Sequence, residues 1–364
     1  MNVQFALVVL SLAVSHANSM PMIRPSRRQI LATAAVAYIG TPEVARADSM
    51  ELSLNGPLVP GLSSPRLVSI GESAWSPPPL ASELGNTRIL AKELNPTQQM
   101  PFGDQELYYA PFLFGAWNVT ATLKRKVYPY GTSFLPSKSL IEGSPRNRME
   151  QVGDSTCYEL HYFSTLANDF QNKLTVNLGL GVPKSKIIAD RAFDAISISM
   201  AYKHFTPVQE VDWNPSKDPT HLSISFGAAP LAEDMRPLGK RRGEVYIVSR
   251  QAETVSDAIF ACSERSRSVI LATGAVVVSD TEGITEYHKN DDNHITATSR
   301  IAVYLTPNPN SREGVLWQQV GGKAVAFFDY DIQMERILES FTLENGAKVE
   351  KACVKTPKDY MQCE

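Results

Sequence analysis

The chain has 364 residues, a formal net charge of −3, 43% hydrophobic residues and four cysteines. No segment after the N-terminal region reaches the roughly 18 consecutive apolar residues of a membrane-spanning helix. Nucleic acid is excluded as a partner because the one basic cluster, Lys240-Arg241-Arg242, is short and bracketed by Gly239 and Gly243.

The N-terminus reads as two export signals in series. An apolar run from Phe5 to Val14 ends in the small residues Ser15 and Ala17, the layout of a cleaved secretory signal over residues 1–17. Residues 18–47 then carry Arg27-Arg28, an apolar run from Ala32 to Ile39, a Gly40/Pro42 break and Ala45-Arg46-Ala47. This is a twin-arginine signal closing on an A-x-A site at Ala45 and Ala47. Two signals imply more than one membrane, and the route that fits is a plastid of secondary origin with delivery to the thylakoid lumen. One signal behind a misassigned start codon is the alternative. Cleavage before Asp48 removes four Arg and one Glu and leaves a formal charge of about −6.

Residues 48–101 are rich in Pro, Ser, Gly and Asn, including Ser76-Pro77-Pro78-Pro79, and predict an extended arm with one short helical piece within Ala81 to Leu94. From residue 102 to 343 strand signals dominate. Trp117 to Lys124 alternates apolar and polar residues, as do Leu174 to Leu180 and Leu222 to Phe226. Further strands are expected at Gly243 to Arg250, Ser268 to Val278, Ile284 to Lys289, Ile295 to Leu305 and Lys323 to Met334. Asn290-Asp291-Asp292-Asn293 reads as a hairpin tip, and Met334 to Ser340 as a short helix. No stretch after residue 101 sustains helical periodicity over three turns. Eight or more strands with hairpin-length connections predict a mainly β fold, an antiparallel barrel or, second, a sandwich. Residues 344–364 are left as a C-terminal tail. There Cys353 and Cys363 enclose a short loop that an oxidising compartment would let close as a disulfide, with two free thiols as the alternative.

Phe114-Gly115-Ala116-Trp117-Asn118-Val119 resembles the G-x-W that opens lipocalin-like barrels. The resemblance implies that Gly115 and Trp117 form a barrel floor with an Arg from a late strand packed over the indole. Arg300 is the candidate, with Arg336 in reserve. Over Tyr109 to Arg336 the chain is similar to an uncharacterised family shared by cyanobacteria and plastids, a domain of unknown function. The motifs carrying this are Phe114 to Thr120, Val182-Pro183, Ile188 to Phe193, Ser299 to Leu305 and Ala326 to Tyr330. The family supplies no catalytic residues.

The chemistry of the remaining residues is sparse. There is no G-x-S-x-G, Walker A or complete dinucleotide fingerprint; Gly179-Leu180-Gly181 lacks its third glycine. His288 and His294 flank the acidic tip Asp291-Asp292, a possible metal pair or a solvated loop. Asp190-Arg191 beside an apolar run reads as a polar ligand-site floor or a structural salt bridge. Asp329 and Asp331 share one strand face, as acid/base partners or as solvated carboxylates. Aromatic strand positions such as Tyr158, Tyr162, Phe327 and Tyr330 fit a core or an apolar cavity. The ligand-binding candidates are therefore Asp190, Arg191, Phe327 and Tyr330, with no catalytic or metal residues assigned and no cofactor required. Three functions stay open: a thylakoid-lumen protein binding a hydrophobic pigment, lipid or quinone; an assembly or maintenance factor for a photosynthetic membrane complex; and an enzyme of unrecognised type.

Overall fold

The architecture comes from a computed structural model, which describes residues 80, 84, 106–137, 139–142, 150–166, 172, 175, 184–202, 208–227, 241–272, 275–308 and 311–364. The targeting signals lie outside these residues, as do the arm apart from Leu80 and Leu84 and the strand expected over Leu174 to Leu180 apart from Thr175, which is helical.

In chain order the elements are β1 (Gly115–Val127), α1 (Ser139–Glu142), β2 (Ser155–Leu166), β3 (Ser185–Ala189), α2 (Arg191–Tyr202), β4 (Val208–Asn214), β5 (Asp218–Phe226), β6 (Arg241–Ser256), β7 (Ile259–Ala272), β8 (Ala275–Lys289), β9 (His294–Tyr304), α3 (Arg312–Val320), β10 (Ala326–Arg336), β11 (Leu338–Thr342), β12 (Lys348–Lys355) and β13 (Met361–Cys363). Ten of the strands form one antiparallel sheet in the order β3-β2-β1-β10-β9-β8-β7-β6-β5-β4, and β11-β12-β13 form a second. The fold is mainly β, as expected. The large sheet curls into a half-barrel whose end strands β3 and β4 are not hydrogen-bonded neighbours.

Alternation sets the faces. On β1, Trp117, Val119, Ala121 and Leu123 are buried toward the concave side, and the register shift after Leu123 re-aims the rest of the strand. They join Leu160, Tyr162, Phe260, Tyr287, Ile301 and Met334 in the main core. Each buried Val, Leu, Ile, Phe or Met side chain among them contributes roughly 1.5–3 kcal/mol. A smaller cluster on the convex face, Ile284, Ala302, Tyr304, Ala324 and Phe327, is joined by Leu84 from the arm. Leu80 and Leu84 are helical, one turn apart, and the Leu80 amide donates to Glu253 on β6.

Helix α2 is the main departure from expectation. It contacts both β2 and β4, bridging the two ends of the sheet. Its stripe Arg191, Asp194, Ala195, Ile198, Ser199 and Tyr202 is buried. Asp194 and Ser197 accept from the backbone amides of His161 and Glu159, at 3.0 and 2.9 Å. The helix thus covers the part of β2 that β3 leaves unpaired, blunting a strand edge that would otherwise expose its amides. Three other expectations change. Ser268 to Val278 is the tip of the β7–β8 hairpin, Met334 to Ser340 holds the end of β10 and the start of β11 on either side of Ile337, and the residues assigned to a tail carry β12 and β13. Helix α3 was also unforeseen; Ser311 caps its start by accepting from Gly314, and Gly321, at φ 61°, ends it.

Candidate functional site

Trp117 is fully buried near the start of β1. Its indole N–H donates to the Leu113 carbonyl at 2.9 Å. The guanidinium over its ring, at 4.3 Å, belongs to Arg336, not Arg300. Strand parity is the reason. Arg336 stands directly opposite Trp117 in the β1–β10 register, whereas Arg300 is paired with Asp329 and faces the convex side. Arg336 also donates to the carbonyls of Phe114, Phe112 and Asp292, at 2.6, 2.9 and 2.7 Å. Gly115, at φ +114°, lets the chain turn beneath it: a Cβ there would lie 3.3 Å from Arg336 Nη1.

The Asp190-Arg191 pair divides. Asp190 accepts from the Phe193 amide at 3.1 Å and opens helix α2; burial raises its pKa. Arg191 turns into the concave interior, where it donates bidentately to Glu264 at 2.7 and 3.1 Å and to Glu106 at 2.8 Å. Burial works to lower its pKa, but the two carboxylates outweigh that and hold it well above the usual value. Neither candidate therefore forms a salt bridge with the other. Tyr109, Tyr162 and Tyr287 surround this triad, with the Tyr162 and Tyr287 hydroxyls 3.5 Å apart. Burial pushes all three phenols upward, along with the Cys262 thiol, which is consequently a poor nucleophile. Asp194, also fully buried, has its pKa raised by burial.

The other two candidates lie apart. Tyr330, on the concave side, donates to Glu150 at 2.8 Å. Phe327, on the convex side, lies under the Arg300 guanidinium at 5.1 Å. Beside it Asp329 is shared by Arg300, at 2.6 and 3.0 Å, and Arg125, at 2.6 and 2.7 Å. Asp331, on the same face, is exposed and pairs with Lys124 at 2.9 Å. The four ligand-binding candidates thus occupy separate environments and do not line one pocket. His288 and His294 each pair with a local acid, Glu286 and Asp291. Among the described residues no group of three or more His, Cys, Asp or Glu is placed to hold a metal, and no helix is long and apolar enough to cross a membrane.

The feature that sequence reasoning missed is a groove of about 710 Å³ between strand β3 and the β12–β13 hairpin. Tyr109, Pro111, Phe114, Ile187 and Met361 give it apolar and aromatic surface; Ser164, Ser185, Lys186, Gln362 and Glu364 supply polar and charged groups. Tyr109 is fixed there by donating its amide to the Ile187 carbonyl at 2.9 Å. Its ring also packs 5.0 Å from Tyr162, so one residue joins the groove to the polar interior. The hairpin wall is held by the Gln362 amide, which accepts from the Ser164 N–H at 2.8 Å and donates to the Ser164 carbonyl at 2.9 Å. Cys353 and Cys363 are joined in a disulfide across β12 and β13. Nothing in the local sequence signals this groove, because its walls lie far apart in the chain.

A family model for a domain of unknown function, DUF6816, matches residues 101–338. The chain belongs to the DUF6816 family. Neither the curated proteins nor the solved structures give a match. The DUF6816 span takes in the ten-stranded sheet, helix α2, the Trp117–Arg336 pair and the groove residues from Tyr109 to Ile187. The hairpin that supplies Met361, Gln362 and Cys363 lies beyond it. In this DUF6816 protein, therefore, one groove wall comes from the family domain and the other from the segment that follows. The groove, with polar and apolar lining nearly balanced, falls within the roughly 300–1,000 Å³ of small-molecule pockets.

Proposed function

We propose that this protein binds a hydrophobic small molecule, a pigment, lipid or quinone, in the groove between β3 and the β12–β13 hairpin, and that it works in a thylakoid lumen. The groove's size and lining carry the reading. Tyr109, Phe114, Ile187 and Met361 offer apolar surface for a ring or chain, and Lys186 and Ser185 at the β3 edge offer hydrogen-bonding groups for a polar head. The concave interior is a poorer host, since Tyr162, Tyr287 and the Arg191 triad fill it. The tandem export signals support the location.

Native mass spectrometry of protein purified from thylakoids tests both parts. The expected result is a polypeptide beginning at Asp48 with an added small-molecule mass. The bare polypeptide mass, together with no uptake of quinone or acyl probes, contradicts the binding.

A second reading, an assembly or maintenance factor for a photosynthetic membrane complex, draws on Leu80 and Leu84 lying against the convex face. An arm seated on the domain in this way is a candidate for exchange with a partner surface. Deleting residues 48–101 without changing association with membrane complexes counts against it.

A further inference from the structure

We propose that the Cys353–Cys363 disulfide is a redox-modification site, and that a dithiol reductant acting on it releases the strand β13 wall of the groove. For its effect on ligand binding the inference rests on the binding function above; the latch itself stands on geometry alone.

Strand β13 has three residues, and each of its register partners lies on β12. A two-stranded pairing this short is marginal by itself. Its other ties are the Glu364 amide on the Ala352 carbonyl at 3.0 Å and the Gln362 bonds to Ser164, and the link between the facing residues Cys353 and Cys363 is its one covalent hold. Beyond the turn, Lys355 with Asp359 at 2.8 Å and Thr356 with Tyr360 secure the bend but not the strand. Next to Cys363, Gln362 is the only β13 side chain hydrogen-bonded to the Ser164 backbone, and it takes both groups of that residue. Met361, Gln362, Cys363 and Glu364 all line the groove. Loss of the disulfide therefore removes a groove wall and the cover of a β2 backbone position together.

The two sulfurs differ in access. Cys353 is buried, 3% exposed, and Cys363 is exposed. A thiolate of the reductant attacks the Cys363 sulfur, forming a mixed disulfide and expelling the Cys353 thiolate, which takes up a proton. The reductant's second thiol, as thiolate, then attacks its own mixed-disulfide sulfur and expels the Cys363 thiolate, which is likewise protonated. The net change is transfer of two electrons and two protons from the dithiol, which leaves as its disulfide.

The test is hydrogen exchange at the Ser164 amide in the folded protein, oxidised and after dithiothreitol, with alkylation mass confirming two new thiols. Exchange faster by tenfold or more on reduction is expected, and the same acceleration without reductant in Cys363→Ser, which cannot form the disulfide, and in Gln362→Ala. Unchanged exchange after confirmed reduction overturns the latch. A hydrophobic probe is titrated in parallel, and its affinity is expected to change at least fivefold on reduction. If exchange accelerates and the probe binds neither form, the latch stands and the binding function fails.

Discussion

The Arg336 guanidinium lies 4.3 Å from the Trp117 ring and holds the carbonyls of Phe112, inside the single 3-10 turn that leads into β1, and of Phe114, which ends that turn. One side chain therefore fixes the indole and the path of the chain beneath it. Removing it as Arg336→Ala loses the cation–π contact and three charge-assisted hydrogen bonds, and is expected to lower stability by about 2–4 kcal/mol. Arg336→Lys, which keeps charge but not the planar fork, is expected to lose roughly half of that. Chemical denaturation measures both.

Gly115→Ala acts on the same junction. It forces a Cβ into positive φ and to within 3.3 Å of Arg336 Nη1, at a cost of about 1–3 kcal/mol in the same assay.

Around Asp329 the two arginines are unequal. Arg300 is fully buried, while the Arg125 side chain is 51% exposed. Asp329→Ala takes the carboxylate away from a buried guanidinium and is expected to cost about 3–5 kcal/mol. Arg125→Ala leaves the Arg300 pair intact and is expected to cost no more than about 1 kcal/mol, the range of exposed ion pairs.

Asp194 gives a pH dependence. Burial raises its pKa in the folded state above the ordinary 3.8, so between those two values the folded protein binds the proton more strongly than the unfolded chain. Its contribution favours folding least once pH exceeds the folded pKa, and stability falls as pH rises through that window. Asp194→Asn keeps an oxygen to accept from the His161 amide but does not titrate. Its stability advantage over wild type is expected to grow as pH rises from about 3.8 and then level off. An advantage independent of pH would mean that Asp194 is not the group responsible; unfolding curves from pH 3 to 8 make the comparison.

The strands were legible where one face is wet. Trp117 to Lys124 alternates cleanly because Asn118 and Lys124 meet solvent. On β9 the run from Ser299 to Tyr304 is buried on both faces, and its alternation fades. Helix α2 was hidden for a different reason. Its buried stripe has helical spacing, but half of it is polar: Arg191, Asp194 and Ser199. Meanwhile Ile196-Ser197-Ile198-Ser199 alternates as a strand would. Arg191 could be singled out as a charge beside an apolar run, yet its partner Glu264 lies 73 residues away, a distance over which pattern carries no information. Arg300 and Arg336 were both visible on late strands. Choosing between them required knowing which face each one points to, and only the register fixes that parity. The groove combines Tyr109, Ile187 and Gln362, residues brought together only by the β3 edge and the C-terminal hairpin.

The most direct test of the groove is equilibrium binding of a fluorescent quinone or acyl probe to wild type, to Ile187→Trp, which fills the groove, and to Tyr287→Phe, which alters the interior. Affinity reduced at least tenfold by Ile187→Trp and unchanged by Tyr287→Phe is the predicted result. Equal binding by wild type and Ile187→Trp, or binding by neither, contradicts it.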